Sequence, residues 1–354
     1  MTGFTTMHTS LRHHLIAPLA LCLLAACSTD APGDNGGDGK GVGMLFSATD
    51  ANGATSRAAA TTDLCTQGSK FSVFGDRKSG STSVSVIFNG DNVSYDPSSG
   101  EWSYANIRYW LPDQEHSFVA LHPAGATGIS DTQYSGSTLS FNLTLPADYR
   151  SNPDLLVAAH RRMYEELSSP FEKDPQAYVR FSFNHVMSRI NFKVKNEGAA
   201  QEVKIKKIEL QGINRTGTFT VTPAPLSSGG DRTDDHISSW TGIANKGDLI
   251  AALDVNIPDT EVRDLFPDNN ALFMIPQPDN KDVITRITYD LYDDGKKHDE
   301  DYTLIAQEPI GGWQPGKMYT YTLDIKPLQS NVSMTLSVSN WLMGAENNVD
   351  VPRK

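Results

Sequence analysis

Cysteine is nearly absent from the chain, with 3 in 354 residues. A disulfide framework is excluded, so a fold of this length has to be held by burial. Positive charge is also short: 42 acidic side chains face 30 basic ones, for a formal net charge of −12. That balance excludes a nucleic-acid binder, which needs a positive surface to displace counterions. The densest basic run, "KIKK" at 204–207, alternates in the manner of a solvent-facing strand. Apolar runs of membrane-spanning length are missing as well. The longest, "LIAPLALCLLAAC" at 15–27, has the length of a signal segment and not of a mature spanning helix.

What that run leads to is informative. Arg12, His13 and His14 precede it, and it ends in Leu24-Ala25-Ala26-Cys27. Small residues before a cysteine suit a signal peptidase, and the sulfur is placed for thioether lipidation. "LAAC" after such a run resembles the lipobox of bacterial lipoproteins, so residues 1–27 are expected to be a lipoprotein signal peptide acylated at Cys27. Cys22 then leaves with the signal and Cys65 has no partner. With no nearby base to ionise it, Cys65 is expected to be buried in a strand.

From Ser28 to Lys40 the composition is Gly, Pro and Asp, a flexible tether that holds a folded body off a membrane. "GMLFSATD" (43–50) follows as a short strand. Next comes "ATSRAAATTD" (54–63), in which Arg57 stands alone among small residues. Beyond it, period-two runs dominate. "TSVSVIFNG" puts Val84, Val86 and Phe88 on one face, and "YTYTLDI" does the same for Tyr319, Tyr321, Leu323 and Ile325. "VSMTLSVSNW" alternates Val332, Met334, Leu336 and Val338 with Ser and Thr. Hairpins are expected at Pro97–Gly100 and Asp293–Gly295. Such alternation means half-buried antiparallel strands. Helical candidates are few: "PDLLVAAHRRMYEEL" (153–167) and "NKGDLIAALD" (245–254). The expected fold is mainly β, two tandem antiparallel β-sandwiches with few short helices. "SSPFEKDPQ" (168–176) marks the boundary, giving bodies at 58–176 and 177–354, with 28–57 as tether and first strand.

Catalytic chemistry finds no foothold. "GGWQPGK" (311–317) has phosphate-loop spacing, but Met318 stands where a Ser or Thr should reach magnesium, and a strand follows. His116 and His122 could share a strand face, yet no third metal ligand lies at suitable spacing. His185 falls between apolar positions and reads as a core or interface histidine. "YDDGKKHDEDY" reads as a solvated hairpin tip and not as a calcium site. No cofactor, metal or catalytic residue is expected. Trp102, Tyr104, Tyr109 and Trp110 crowd one region and could stack on sugars, although aromatics at strand spacing more often fill a core.

Several stretches carry a family resemblance: "YWLPDQEHSFVALHPAG" (109–125), "FSFNHVMSRINFKVKN" (181–196), "ALFMIPQP" (271–278), "GGWQPGKMYTYTLDI" (311–325) and "VSMTLSVSNW" (332–341). With the lipobox and tether, they resemble the fimbrillin family of anaerobic Gram-negative bacteria. The resemblance implies transthyretin-like β-sandwiches and a structural subunit (shaft, anchor or tip) of a cell-surface fimbrium acting in adhesion. It also implies a lipid-anchored precursor at the outer membrane and a surface arginine-specific protease that cuts between Arg57 and Ala58. Met44, Leu45 and Phe46 would belong to the removable strand, whose groove is then filled by a strand from another fimbrial subunit. Only "LMGAENNVDVPRK" follows Trp341, which is short for a donor strand. A monomeric surface lipoprotein that binds glycans or host ligands is the alternative.

Overall fold

The computed structural model describes residues 42–50, 64–80, 83–164, 178–198, 201–228, 230, 232–257, 261–267, 270–279, 282–298, 302–307, 312–326, 333–341 and 349–350. The expected boundary segment 168–176 lies outside the described residues, as do Cys27, Arg57 and Ala58.

The described chain is nearly all strand. The N-terminal half runs β1 (Leu45–Asp50), β2 (Lys70–Ser79), β3 (Ser83–Asp96), β4 (Glu101–Ser103), β5 (Gln114–His122), β6 (Ile129–Ser135) and β7 (Thr138–Thr144). A 3-10 turn, Tyr149–Ser151, precedes β8 (Leu156–Tyr164), and β9 (Tyr178–His185) leads into β10 (Ser188–Asn196). Two long strands follow, β11 (Gln201–Pro223) and β13 (His236–Ile257), with β12 (Arg232–Thr233) between them. Next come β14 (Arg263–Asp264), β15 (Leu272–Met274), β16 (Ile284–Asp293), β17 (Lys296–Lys297) and β18 (Tyr302–Gln307). The last three are β19 (Lys317–Ile325), β20 (Ser333–Asn340) and β21 (Val349–Asp350).

The first sheet runs β12-β8-β5-β2-β3-β4-β1-β9, and β9 pairs back to β8. The return closes it into a barrel-like ring. Its interior is aromatic: Phe46, Phe71, Phe88, Trp102, Trp110, Phe118, Phe181 and Phe183 form one buried cluster. The second sheet is β14-β10-β19-β20-β21, and the third is β17-β16-β11-β7-β6 with β13 along the other side of β11. These two close over a second core that includes Leu139, Phe141, Ile190, Phe192, Ile205, Phe219, Trp313 and Tyr321. Strands from both halves of the sequence are shared: β6 and β7 reach the third sheet, while β9 belongs to the ring.

Both helical candidates are strands, β8 and part of β13. The reason for β8 is plain from its two faces. Leu156 and Ala158 enter the ring's interior, whereas Val157 and Ala159 enter the second core. A strand buried on both sides has a continuous apolar run, and its period of two disappears from the sequence. The expected face of β3 also splits. Phe88 is buried but Val84 and Val86 are exposed, because the β2–β3 register slips between Gly75 and Asp76 and turns that end of β3 over. Cys65 lies exposed in the turn before β2 and not in a strand, since the chain becomes extended only from Lys70.

Other expectations hold. Tyr319, Tyr321, Leu323 and Ile325 are all buried along β19. Asp294 and Gly295 both adopt positive φ, 47° and 73°, the geometry of a two-residue hairpin turn between β16 and β17. The "GGWQPGK" stretch is a turn feeding β19. Gly312 has φ 71°, and a Cβ there would come within 2.2 Å of the Gln277 carbonyl oxygen, so only glycine fits. Trp313 follows it into the core and donates from Nε1 to the Tyr321 hydroxyl at 2.9 Å.

Candidate functional site

The feature on which the functional reading turns is the strand β1. Its sequence alternates, so Met44, Phe46 and Ala48 face the ring's interior while Leu45, Ser47 and Thr49 face outward. Two of the three residues expected to fill the groove do so. Leu45 does not; it is 42% exposed, and Ala48 takes the third inward position.

β1 is held on both sides. It runs parallel to β9 from Leu45↔Tyr178 to Asp50↔Phe183. On the other side its pairing is thinner, with Phe46↔Trp102 of β4 and a bridge between Gly43 and Tyr109. The Met44 N–H donates to the Arg108 carbonyl at 2.8 Å, and the Trp110 N–H donates to the Val42 carbonyl at 3.0 Å. Tyr104 adds a side-chain tie, its hydroxyl donating to the Met44 carbonyl at 2.9 Å. Burial pushes that phenol's pKa up, which keeps it a neutral donor.

Phe46 is the anchor. Its ring lies 5.2 Å from Tyr104, 5.6 Å from Phe88, 5.8 Å from Phe181 and 6.0 Å from Phe71, all edge-on except the stacked Phe181. Burying Met44 and Phe46 contributes roughly 1.5–3 kcal/mol each, and the aromatic pairs add to that. Without β1, the ring would open between β9 and β4. Both neighbours would then expose unpaired backbone groups beside an apolar trough.

The remaining candidates fall elsewhere. Trp102, Tyr104 and Trp110 pack in or against the ring's core, and only Tyr109 of that crowd is exposed. His116 and His122 are both buried on β5, with Nδ1 atoms 3.0 Å from the Gln114 and Lys70 carbonyl oxygens. Burial holds His116 down at about 4. Among the described residues no group of three metal-ligating side chains converges. His185, at the end of β9, sits 2.9 Å from the Asp154 carboxylate and stacks on Trp341 at 3.7 Å. Trp341 in turn stacks on Phe273, so the residue just past β20 is clamped between two rings. Beyond it, β21 pairs with β20 through Ser337↔Asp350 and Val338↔Val349. The His185–Trp341 contact was beyond sequence reasoning, because the two residues lie far apart in the chain.

A barrel-like ring of strands that includes the short strand β1, beside a second two-sheet core, defines a β-rich fold. A fimbrial protein from Bacteroides vulgatus shares the fold, with a TM-score of 0.59 at 15% identity, over 85% of this chain and 99% of that one. Candidate cell adhesion proteins from Bacteroides uniformis and Bacteroides ovatus superpose more loosely. Their TM-scores are 0.49 and 0.45, at 15% and 13% identity, over 85% and 86% of this chain and 99% of each of theirs. No curated protein sequence matches. The sequence profile of the fimbrillin-like family matches residues 56–341, and the chain belongs to that family. The matched region starts past β1.

Proposed function

We propose that the chain is a structural subunit of a cell-surface fimbrium acting in adhesion, made as a lipoprotein and assembled by protease-triggered strand exchange. Cys27 carries the acyl anchor to the outer membrane. A surface arginine-specific protease cuts between Arg57 and Ala58, in the stretch that separates β1 from the rest of the ring. β1, with Met44 and Phe46, then leaves, and an extended strand of another fimbrial subunit takes its place. Donated backbone restores the ladder beside β9, and donated side chains refill the trough. No catalytic role is assigned. Family membership and the neighbour called a fimbrial protein support the reading.

The observation that carries it is the construction of β1. It is paired with β9 at every position from Leu45 to Asp50, it fills the ring with Met44 and Phe46, and it is followed by the arginine-bearing segment. Wild type and Arg57→Ala, each exposed to an arginine-specific protease, are compared on unboiled gels. A polymer ladder is expected from cut wild type alone. A variant that polymerises as readily would remove cleavage from the mechanism. Cys27→Ala tests the anchor separately: acyl chains hold at about 0.8 kcal/mol per buried methylene, so the variant should leave the membrane fraction. Trp102 and Trp110 are buried and Tyr104 is partly buried, which leaves Tyr109 as the exposed aromatic of that group.

A further inference from the structure

The outer surface of the ring carries an apolar face where β1 begins. Ile107 is 60% exposed, Tyr109 52% and Leu45 42%. They form one surface. Tyr109 is bridged to Gly43, a Cβ on Gly43 would touch Ile107 at 3.3 Å, and Leu45 is the next outward residue along the strand.

The segment that builds this face is arranged opposite to an ordinary water-facing loop. Asn106 turns the chain with φ 58°. Arg108, the charged residue between Ile107 and Tyr109, folds back onto the protein. Its guanidinium donates to the Ile87 carbonyl at 3.1 Å and to the Asn106 carbonyl, pairs with Asp91 at 3.5 Å and lies over the Phe88 ring. The charge is turned in and neutralised while its two apolar neighbours are turned out. Those pins also fix Ile107 and Tyr109 in place, so their exposure is built in.

We propose that in the acylated precursor this face rests on the interfacial layer of the bilayer, as a second attachment beside the lipid. The inference rests on the reading of Cys27 as the acylated residue. Two things on the molecule favour a lipid surface over other occupants. The chain between Cys27 and Gly41 can span no more than about 50 Å, and the described chain begins at Val42, beside the Gly43 that is bridged to Tyr109. The chemistry also suits the headgroup boundary: aliphatic side chains beside a tyrosine, whose ring is apolar and whose hydroxyl is polar, with the Arg108 charge between them paired to Asp91. Single lipid attachments gain stability from a second contact of this kind. Cleavage after Arg57 would divide the face, with Leu45 leaving alongside the anchor and Ile107 and Tyr109 staying with the body.

The test uses the acylated full chain reconstituted in phosphatidylcholine vesicles. In a Cys65→Ser background, an environment-sensitive dye is placed through Ile107→Cys, and a control dye through Ile237→Cys on β13, which is 63% exposed. The dye at 107 should shift to the blue and be quenched roughly two-fold by spin-labelled headgroups, with the dye at 237 unaffected. Equal water exposure at both positions in vesicle-bound chain overturns the proposal and leaves the acylation reading intact. A chain that does not float with vesicles overturns the acylation reading and this inference with it. A blue shift at 107 without vesicles, growing with protein concentration, assigns the face to a second copy and also overturns it.

Discussion

Phe46→Ala is the perturbation that weighs β1 most directly. The ring of Phe46 is 3% exposed and meets four aromatic neighbours, so its loss leaves a cavity in the middle of the trough. Truncations of this kind cost about 3–5 kcal/mol. Before cleavage, that cost should appear as global destabilisation in a denaturant titration. After cleavage at Arg57, the same energy governs how fast the N-terminal fragment leaves, because it is then held without a covalent link. At 1.4 kcal/mol per decade, departure should be on the order of a hundred- to a thousand-fold faster. Native mass spectrometry of cut protein, sampled over time, follows the fragment. Leu45→Ala is the matched control: it changes an outward residue on the same strand and should shift stability by no more than about 0.5 kcal/mol. Equal effects of the two substitutions would refute the alternation on which the trough is argued. A Phe46→Ala fragment that leaves no faster than wild type would show that the aromatic face is not what retains β1.

Acid should destabilise the fold. Burial holds His116 at about 4 in the folded state against 6.5 for the free side chain. Between those values the unfolded chain binds a proton that the folded chain refuses, so stability falls as pH drops through 6.5 towards 4. About 2 kcal/mol should be lost between pH 7 and pH 5 by urea unfolding, and His116→Gln should flatten that slope; an unchanged slope would place the acid sensitivity elsewhere. Gly312→Ala should cost about 2 kcal/mol or more, since its φ is 71° and the Gln277 carbonyl lies 2.2 Å from the added carbon. Gly295→Ala, also at positive φ but in open space, should cost only about 1–2 kcal/mol. Denaturant midpoints separate the two, and equal losses would mean that the crowding at Gln277 is relieved.

What could be read from the sequence follows from how each strand is buried. β19 has one face in the core and one outside, so its period of two and its buried set were both legible. The Asp294–Gly295 turn was legible because a two-residue hairpin restricts which residues can adopt positive φ. β8 was not, because both of its faces are covered and its apolar run is continuous. Val84 and Val86 fall on the other face for a different reason: Ile87 is an extra residue that bulges β3 against β2 and turns its face over, which no local pattern records. In the site, the alternation within "GMLFSATD" places Leu45 on the outward face, opposite Met44 and Phe46. The closure of the ring through β8–β9 and the stacking of Trp341 on His185 depend on contacts between distant residues, which periodicity cannot convey.

The pairing of Leu45 with Tyr178 has a consequence for the order in which the molecule folds. Among the described residues β1 is the first strand of the chain, yet its main partner β9 follows only after seven further strands. Long-range pairings of this kind are entropically slow to form. Each newly delivered chain therefore passes through an interval in which β9 has no neighbour on that side and β1 has no seat. During that interval any extended strand of suitable sequence competes for the vacancy. The chain's own β1 has the advantage because it is tethered, and a short tether sets a local concentration in the millimolar range. The covalent link thus favours the chain's own strand over any competing strand during folding.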